Sequence, residues 1–196
     1  PLSLLLDSKA PTVVKVEKIS ADGNYGLGST IDFRVVFSEP ITLSGFNSSS
    51  PFVQLNSSTS ARAFVTGTSS DSVTFRYTVQ NGDSSSDLNY SSTSSFNLGS
   101  FALRDIANNS ATLTLPATNN AASLAGSAAL VVDGIAPDSP RIVTLAAVGG
   151  NQVTGFVNST NVNVVATISI TVSQAVGGRV ELQLGNQVIA SRVISS

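Results

Sequence analysis

The chain has 196 residues, of which 41% are apolar and only 11% charged, with a formal net charge of −2. That apolar share supplies a packed core and excludes a disordered chain, while the sparse charge excludes a basic patch for nucleic acid or for an anionic membrane surface. Cys and His are both absent, which removes disulfides, thiolate metal sites and the usual general base near neutral pH.

Leu2–Leu6 is an apolar run too short for a secretory core or a membrane-spanning helix, so the chain reads as an excerpt from a longer protein with no membrane insertion. Asp7 and the pair Ala10-Pro11 follow. Val14 and Val16 then alternate with Lys15 and Glu17, which predicts a strand with those two valines inward. The stretch Asp22–Gly28 contains three glycines and reads as a tight irregular loop. The clearest strand follows, with Ile31, Phe33, Val35 and Phe37 on one face and Asp32, Arg34 and Val36 on the other. Pro40, which cannot donate to a ladder, ends it.

Ser44–Ser50 reads as a polar loop, with short strands at Phe52–Asn56 and Ala61–Thr66 beyond it. Val73, Phe75, Tyr77 and Val79 alternate with Thr74, Arg76 and Thr78 in a second half-buried strand. Asn81-Gly82-Asp83 turns the chain. Short apolar pieces follow at Asp87–Tyr90, Phe96–Leu98 and Phe101–Leu103, then a turn at Asp105–Asn109 and a strand at Thr112–Leu115. Asn120–Ala129 is rich in alanine and allows one turn of helix. Leu130–Val132 is a last strand, followed by Asp133 and Ala136-Pro137.

The ending repeats the beginning. Leu4-Leu5-Leu6-Asp7 and Leu130-Val131-Val132-Asp133 each run, two residues later, into Ala-Pro. The two aspartates stand about one β-sandwich domain apart. Each copy reads as the last strand of one module plus the hinge to the next. Past Pro140, strands are expected at Ile142–Val148, Val162–Val172, Val180–Leu184 and Val188–Ile194, with a hairpin at Gly185-Asn186. That is too few to close a sandwich, which takes about seven. The expected organisation is therefore a terminal or donor strand at 1–10, a complete sandwich at 11–137 and a partial one at 138–196. The fold class is all-β: tandem Ig-like Greek-key sandwiches, the second incomplete.

Several stretches carry a resemblance: Ala21–Tyr25, Gly28–Asp32, Val36-Phe37-Ser38-Glu39-Pro40, Leu55–Ala63, Thr74–Val79, Gly82-Asp83, Asp87–Tyr90, Asp105–Leu113 and Val132-Asp133. On these, residues 13–137 resemble the SWM-type repeat, a bacterial Ig-like (Big) module that occurs in arrays in large cell-surface proteins. Residues 136–196 are similar to the start of another such module. The family has Gly where this chain has Asn108, and Asn accepts left-handed φ better than most residues, so the turn is expected to survive. The resemblance implies roles in adhesion, surface-layer structure and motility, an extracellular location on the bacterial surface, and no catalytic motif.

Catalysis lacks its parts. The serines have no His partner and no Ser-x-x-Lys occurs, leaving only carboxylates such as Glu39 and Asp105 as a conceivable acid and base. Calcium is the more concrete expectation, because hard cations take carboxylate and carbonyl oxygens. Asp7 and Asp133 sit at the hinges, Asp22 in the glycine-rich loop, and Glu39 and Asp105 at strand ends that share one pole. The alternative for all five is ordinary Asp turn chemistry. The expected function is non-catalytic: a stiff spacer module of an adhesin or filament whose partners are neighbouring modules of the same chain or of identical subunits. One alternative is a module binding a surface glycan or protein through loops 44–50 and 81–95, where exposed aromatics would signal binding and a bare Ser/Thr surface a spacer. Others are a head-to-tail fibre subunit, with Leu2–Leu6 completing the open sandwich of another copy, and an accessory module of a secreted hydrolase.

Overall fold

A computed structural model describes residues 6–139, 141–154, 156, 158–161, 163–170, 178–184 and 186–194. The chain is all-β apart from a single short helix among the described residues, and it divides into two compact units, Pro1–Ile135 and Ala136–Ser196. The first unit has sandwich-like layering. Its large sheet contains β1 (Val13–Lys18), β3 (Thr30–Phe37), β5 (Phe52–Gln54), β6 (Arg62–Thr68), β7 (Ser72–Thr78) and β9 (Phe96–Asn97), in the order β1-β3-β7-β6-β5-β9. Two smaller sheets complete it. One pairs β4 (Thr42–Leu43) with β10 (Leu103–Arg104); the other sets β11 (Leu130–Asp133) between β2 (Gly23–Gly26) and β8 (Ser84–Ser85).

The middle of the large sheet is the antiparallel pair β3–β7, in which Phe33 faces Phe75 and Val35 faces Val73. Their inward side chains follow the period-two pattern, and Ile31, Phe33, Val35, Val73, Phe75, Tyr77 and Val79 are all buried. Phe33 stacks on Phe75 at 5.6 Å, and Phe96 meets Phe75 edge-on at 5.2 Å. Such offset and T-shaped pairs match the ring quadrupoles and add to area burial. Leu103 of β10, Leu130 and Val132 of β11, and Leu124 of helix α1 (Leu124–Ser127) join the same core. The Ser123 hydroxyl caps α1 by accepting from the Gly126 N–H at 3.0 Å.

Three sequence expectations shift. Val14 points outward and only Val16 is buried, because the β1–β3 ladder slips between Val13 and Lys15 and this irregularity reverses the phase of the strand. The glycine-rich stretch is partly a strand: β2 runs parallel to β11, a neighbour far along the chain that local turn signals do not reveal. Thr112–Leu115 makes a single bridge, Thr12 to Thr112, instead of a strand. The short apolar piece Asp87–Tyr90 buries Leu88 and Tyr90, and Tyr90 makes an isolated bridge to Leu55.

A polar cluster closes one end of the core. Buried Asp83 accepts from the Tyr77 hydroxyl at 2.5 Å, the Ser58 hydroxyl at 2.6 Å and the Gln80 N–H at 2.8 Å. Its backbone carbonyl accepts from Gly134 at 2.7 Å, so this turn also holds the exit from β11. A Cβ on Gly134 would lie 2.2 Å from the Gln80 carbonyl, which leaves only glycine able to pass.

Among its described residues the second unit shows two antiparallel pairs. One is β12 (Arg141–Val148) with β13 (Asn163–Ser169); the other is β14 (Arg179–Leu184) with β15 (Gln187–Val193), whose pairing ends at Leu184 opposite Gln187. Val162, Val172 and Gly185 of the expected elements lie outside the described residues.

Burial raises the Asp83 carboxyl pKa, but the hydrogen bonds from Ser58, Tyr77 and Gln80 outweigh it and hold the group below its ordinary value. A carboxyl depressed on folding contributes stability above its unfolded pKa of roughly 3.9, and that contribution disappears as pH falls through the folded value. Thermal melts at pH 7 and pH 3 should therefore show a smaller acid-induced loss in Asp83→Asn than in the parent chain. Equal losses would contradict this assignment.

Candidate metal centre

The entry segment crosses one pole of the first unit. Its Pro11 carbonyl accepts from Thr112 N–H at 2.8 Å, and its Thr12 carbonyl accepts from Ser38 N–H at 2.9 Å. These contacts lay residues 7–12 between the end of β3 and the turn after β10. As a result Asp7, Glu39 and Asp105 come together, each offering a carboxylate oxygen, with all three oxygens within 4.8 Å of one another.

Each residue arrives by a different route. Glu39 lies two residues beyond β3, whose inward Phe37 anchors that end in the core. Asp105 follows β10 and is buried. Its Oδ1 accepts from the Asn109 N–H at 2.7 Å and its Oδ2 from the Asn109 side-chain amide at 2.7 Å. Asp7 is exposed and caps its own turn, its Oδ1 accepting from Lys9 N–H at 3.0 Å. Desolvation raises the Asp105 pKa, but hydrogen bonds from Asn109 and from the backbone at residues 107–109 prevail and keep the carboxyl below its ordinary value.

Asn109 stitches the segment to the turn. Besides Asp105, its amide nitrogen donates to the Asp7 carbonyl at 3.2 Å and the Lys9 carbonyl at 3.0 Å. Sequence reading placed Asn109 in a turn and did not assign it this role. The two carbonyls lie about a hundred residues upstream, so no local pattern carries the signal. Asn108 takes φ +71°, the one positive φ outside glycine among the described residues, in keeping with the glycine that the family it resembles has there.

The donor set fits a hard cation. Two oxygens on opposite sides of a calcium ion stand roughly 4.6–5.2 Å apart, twice the usual Ca–O distance. Oxygens within 4.8 Å of one another therefore suit a shared ion. Among the described residues no Lys or Arg forms an ion pair with any of the three carboxylates. Asp7, Glu39 and Asp105 would hold the ion, and it would supply the positive charge that the protein does not.

The other two candidates lie elsewhere. Asp22 pairs with Lys18 and accepts from Ala129 N–H at 2.8 Å, which fixes the start of the β2–β11 pairing. Its pKa is lowered, chiefly by Lys18. Asp133 accepts from Ile135 N–H at 3.1 Å, an Asx turn at the exit hinge. Asp22 is thus engaged by an ion pair and a long-range backbone contact, and only Asp133 by local turn chemistry.

The loops considered for ligand binding offer little aromatic surface. Phe46 is exposed in loop 44–50, but Tyr90 in 81–95 is buried, with its hydroxyl on the Pro116 carbonyl at 2.5 Å. Burial pushes the Tyr90 pKa up to about 12. No protein-family model, curated protein or solved structure matches the chain.

The left-handed turn yields a direct check. Asn108→Gly should change unfolding free energy by less than about 1 kcal/mol, whereas Asn108→Val should cost roughly 1–3 kcal/mol because a β-branched residue resists that conformation. Chemical denaturation of both variants measures this. Equal stabilities would show that the turn relaxes away from positive φ.

Proposed function

We propose that this chain is a non-catalytic structural module of a bacterial cell-surface adhesin or filament, a stiff Ig-like spacer whose entry hinge is clamped by calcium. The observation that carries this reading is the meeting of Asp7, from the entry segment, with Glu39 and Asp105 of the sandwich. A cation held there ties the incoming chain to the pole and removes its freedom to swivel. Asn109 supplies the neutral part of the same clamp. The SWM-type resemblance supports the surface setting, and the Leu-run, Asp and Ala-Pro pattern at both hinges supports serial repetition. The fixed φ of each hinge proline keeps the connection extended.

The reading predicts that millimolar calcium raises the melting temperature of the full chain by about 2–5 °C over a chelator-treated sample. Asp105→Asn and Glu39→Gln should each remove most of that difference. Coincident melts with calcium and with chelator would end the calcium clamp.

A second reading, the head-to-tail fibre, rests on one observation in the second unit. Ala166, Ile168, Ile170, Val180 and Val193 line an open groove of about 430 Å³, and Val193 is 62% exposed. Two-stranded pairs of this kind are marginal alone and gain from an added strand. In the first unit Leu130 and Val132 of β11 fill that need and are fully buried. The proposed donor, Leu2–Leu6, lies outside the described residues except for Leu6. Sedimentation across a dilution series should show concentration-dependent assembly if strands are exchanged; a monomer at every concentration rejects this reading.

A further inference from the structure

We propose that the outer face of the large sheet carries a second site, a shallow cleft between β6 and β7 that binds an acidic saccharide through a carboxylate-bearing pyranose unit. The cleft has a volume of about 370 Å³ and is lined by Ser60, Arg62, Phe64, Arg76, Thr78 and Gln80 among others. That lies at the small end of the roughly 300–1,000 Å³ typical of ligand clefts and suits one unit of a longer sugar chain.

The strands build this site by the same alternation that builds the core. Ala63 and Val65 point inward and are buried, which turns Arg62 and Phe64 outward. Phe75 and Tyr77 point inward, which turns Arg76 outward, directly across the ladder from Phe64. The half-buried Phe64 thus has Arg76 opposite it on β7 and Arg62 two residues along β6, and its ring meets that of Phe52 edge-on at 6.3 Å.

The two arginines are held differently. Arg76 is gripped by Asp32 through its Nε and Nη2, both at 2.7 Å, and among the described residues no acceptor meets its Nη1. Arg62 pairs with no carboxylate among the described residues. It lies over the Phe52 ring at 4.5 Å, and Gln54 Oε1 stands 3.5 Å from its Nε. Stacking on an aromatic face orients the guanidinium without neutralising it. The chain has only ten cationic side chains, and this one is oriented and left with its charge open. A planar guanidinium matches a carboxylate in bidentate geometry.

The remaining lining selects the ligand class. The Phe64 ring offers an apolar face to the C–H side of a pyranose, and the Ser60, Thr78 and Gln80 side chains offer neutral donors and acceptors to hydroxyl groups. An acidic peptide is the poorer fit. Extended peptides bind by adding to a free sheet edge, whereas β6 and β7 both lie inside the sheet and have no free edge. None of these residues belongs to the calcium clamp, so the two proposals stand or fall separately.

The test is a titration of the isotopically labelled full chain with tetragalacturonate, followed by amide chemical shifts. Cellotetraose serves as the neutral control and hexaglutamate as the peptide control. The proposal predicts shifts concentrated at residues 60–64 and 76–80. It also predicts at least tenfold weaker binding in Arg62→Ala, where both hydrogen bonds to the carboxylate are lost, and in Phe64→Ser. Arg62 is exposed, so its variant should keep the parent melting temperature and report on binding alone. Absence of shifts, shifts elsewhere, unchanged affinity in Arg62→Ala, or equal binding of cellotetraose or hexaglutamate would each overturn it.

Discussion

The β3–β7 ladder is the constraint from which the rest of the first unit follows. Its inward face places Phe33 against Phe75 and Val35 against Val73, with every one of these side chains fully buried. Removing a ring such as Phe75 would cost about 3–5 kcal/mol, a large share of a typical domain's stability. Because side chains alternate strictly, fixing the inward set also fixes the outward one. Arg76 must then face Asp32 and flank Phe64 on the outer surface. The two ends of the ladder are fixed as well. One end leads from Phe37 to Glu39 at the entry pole, and the other brings Tyr77 to Asp83 beside the exit turn.

Both ends of the unit are fastened by carboxylates, and in different ways. At the exit, Asp83 is buried and saturated by protein donors, so it needs nothing from solvent. Among the described residues no buried side-chain polar atom lacks a partner. At the entry, three carboxylates converge, and among the described residues no basic side chain pairs with them; amide hydrogen bonds to Asp105 and Asp7 ease their repulsion without neutralising the charge. A closed polar network is complete in itself, whereas the proposed calcium clamp would complete the acidic one.

Much of this was legible in the residues. The alternation at Ile31–Phe37 and Val73–Val79 identified both central strands and their inward faces, because a half-buried strand writes its environment with period two. Glu39 and Asp105, both at strand ends, were placed as able to share a pole, while the left-handed turn at Asn108 came from the glycine of the family the chain resembles. Other features were not visible. The register slip that turns Val14 outward is a property of the pairing, not of either strand alone. The parallel β2–β11 ladder joins residues about a hundred positions apart, and glycine-rich β2 carries no strand signal of its own. Asn109's hold on the entry segment and the Arg62–Phe64–Arg76 row were missed for the same reason: each is made by neighbours that only the folded sheet supplies.

Amide hydrogen exchange at residues 7–12, compared with and without calcium, tests the clamp most directly, because it reads the entry segment and not the core. Bound cation should slow exchange at Lys9 and Thr12 by at least about tenfold, with the buried strands β3 and β7 unchanged. Rapid exchange at those amides in both conditions would show that the segment is free at the pole and that the three carboxylates hold nothing there.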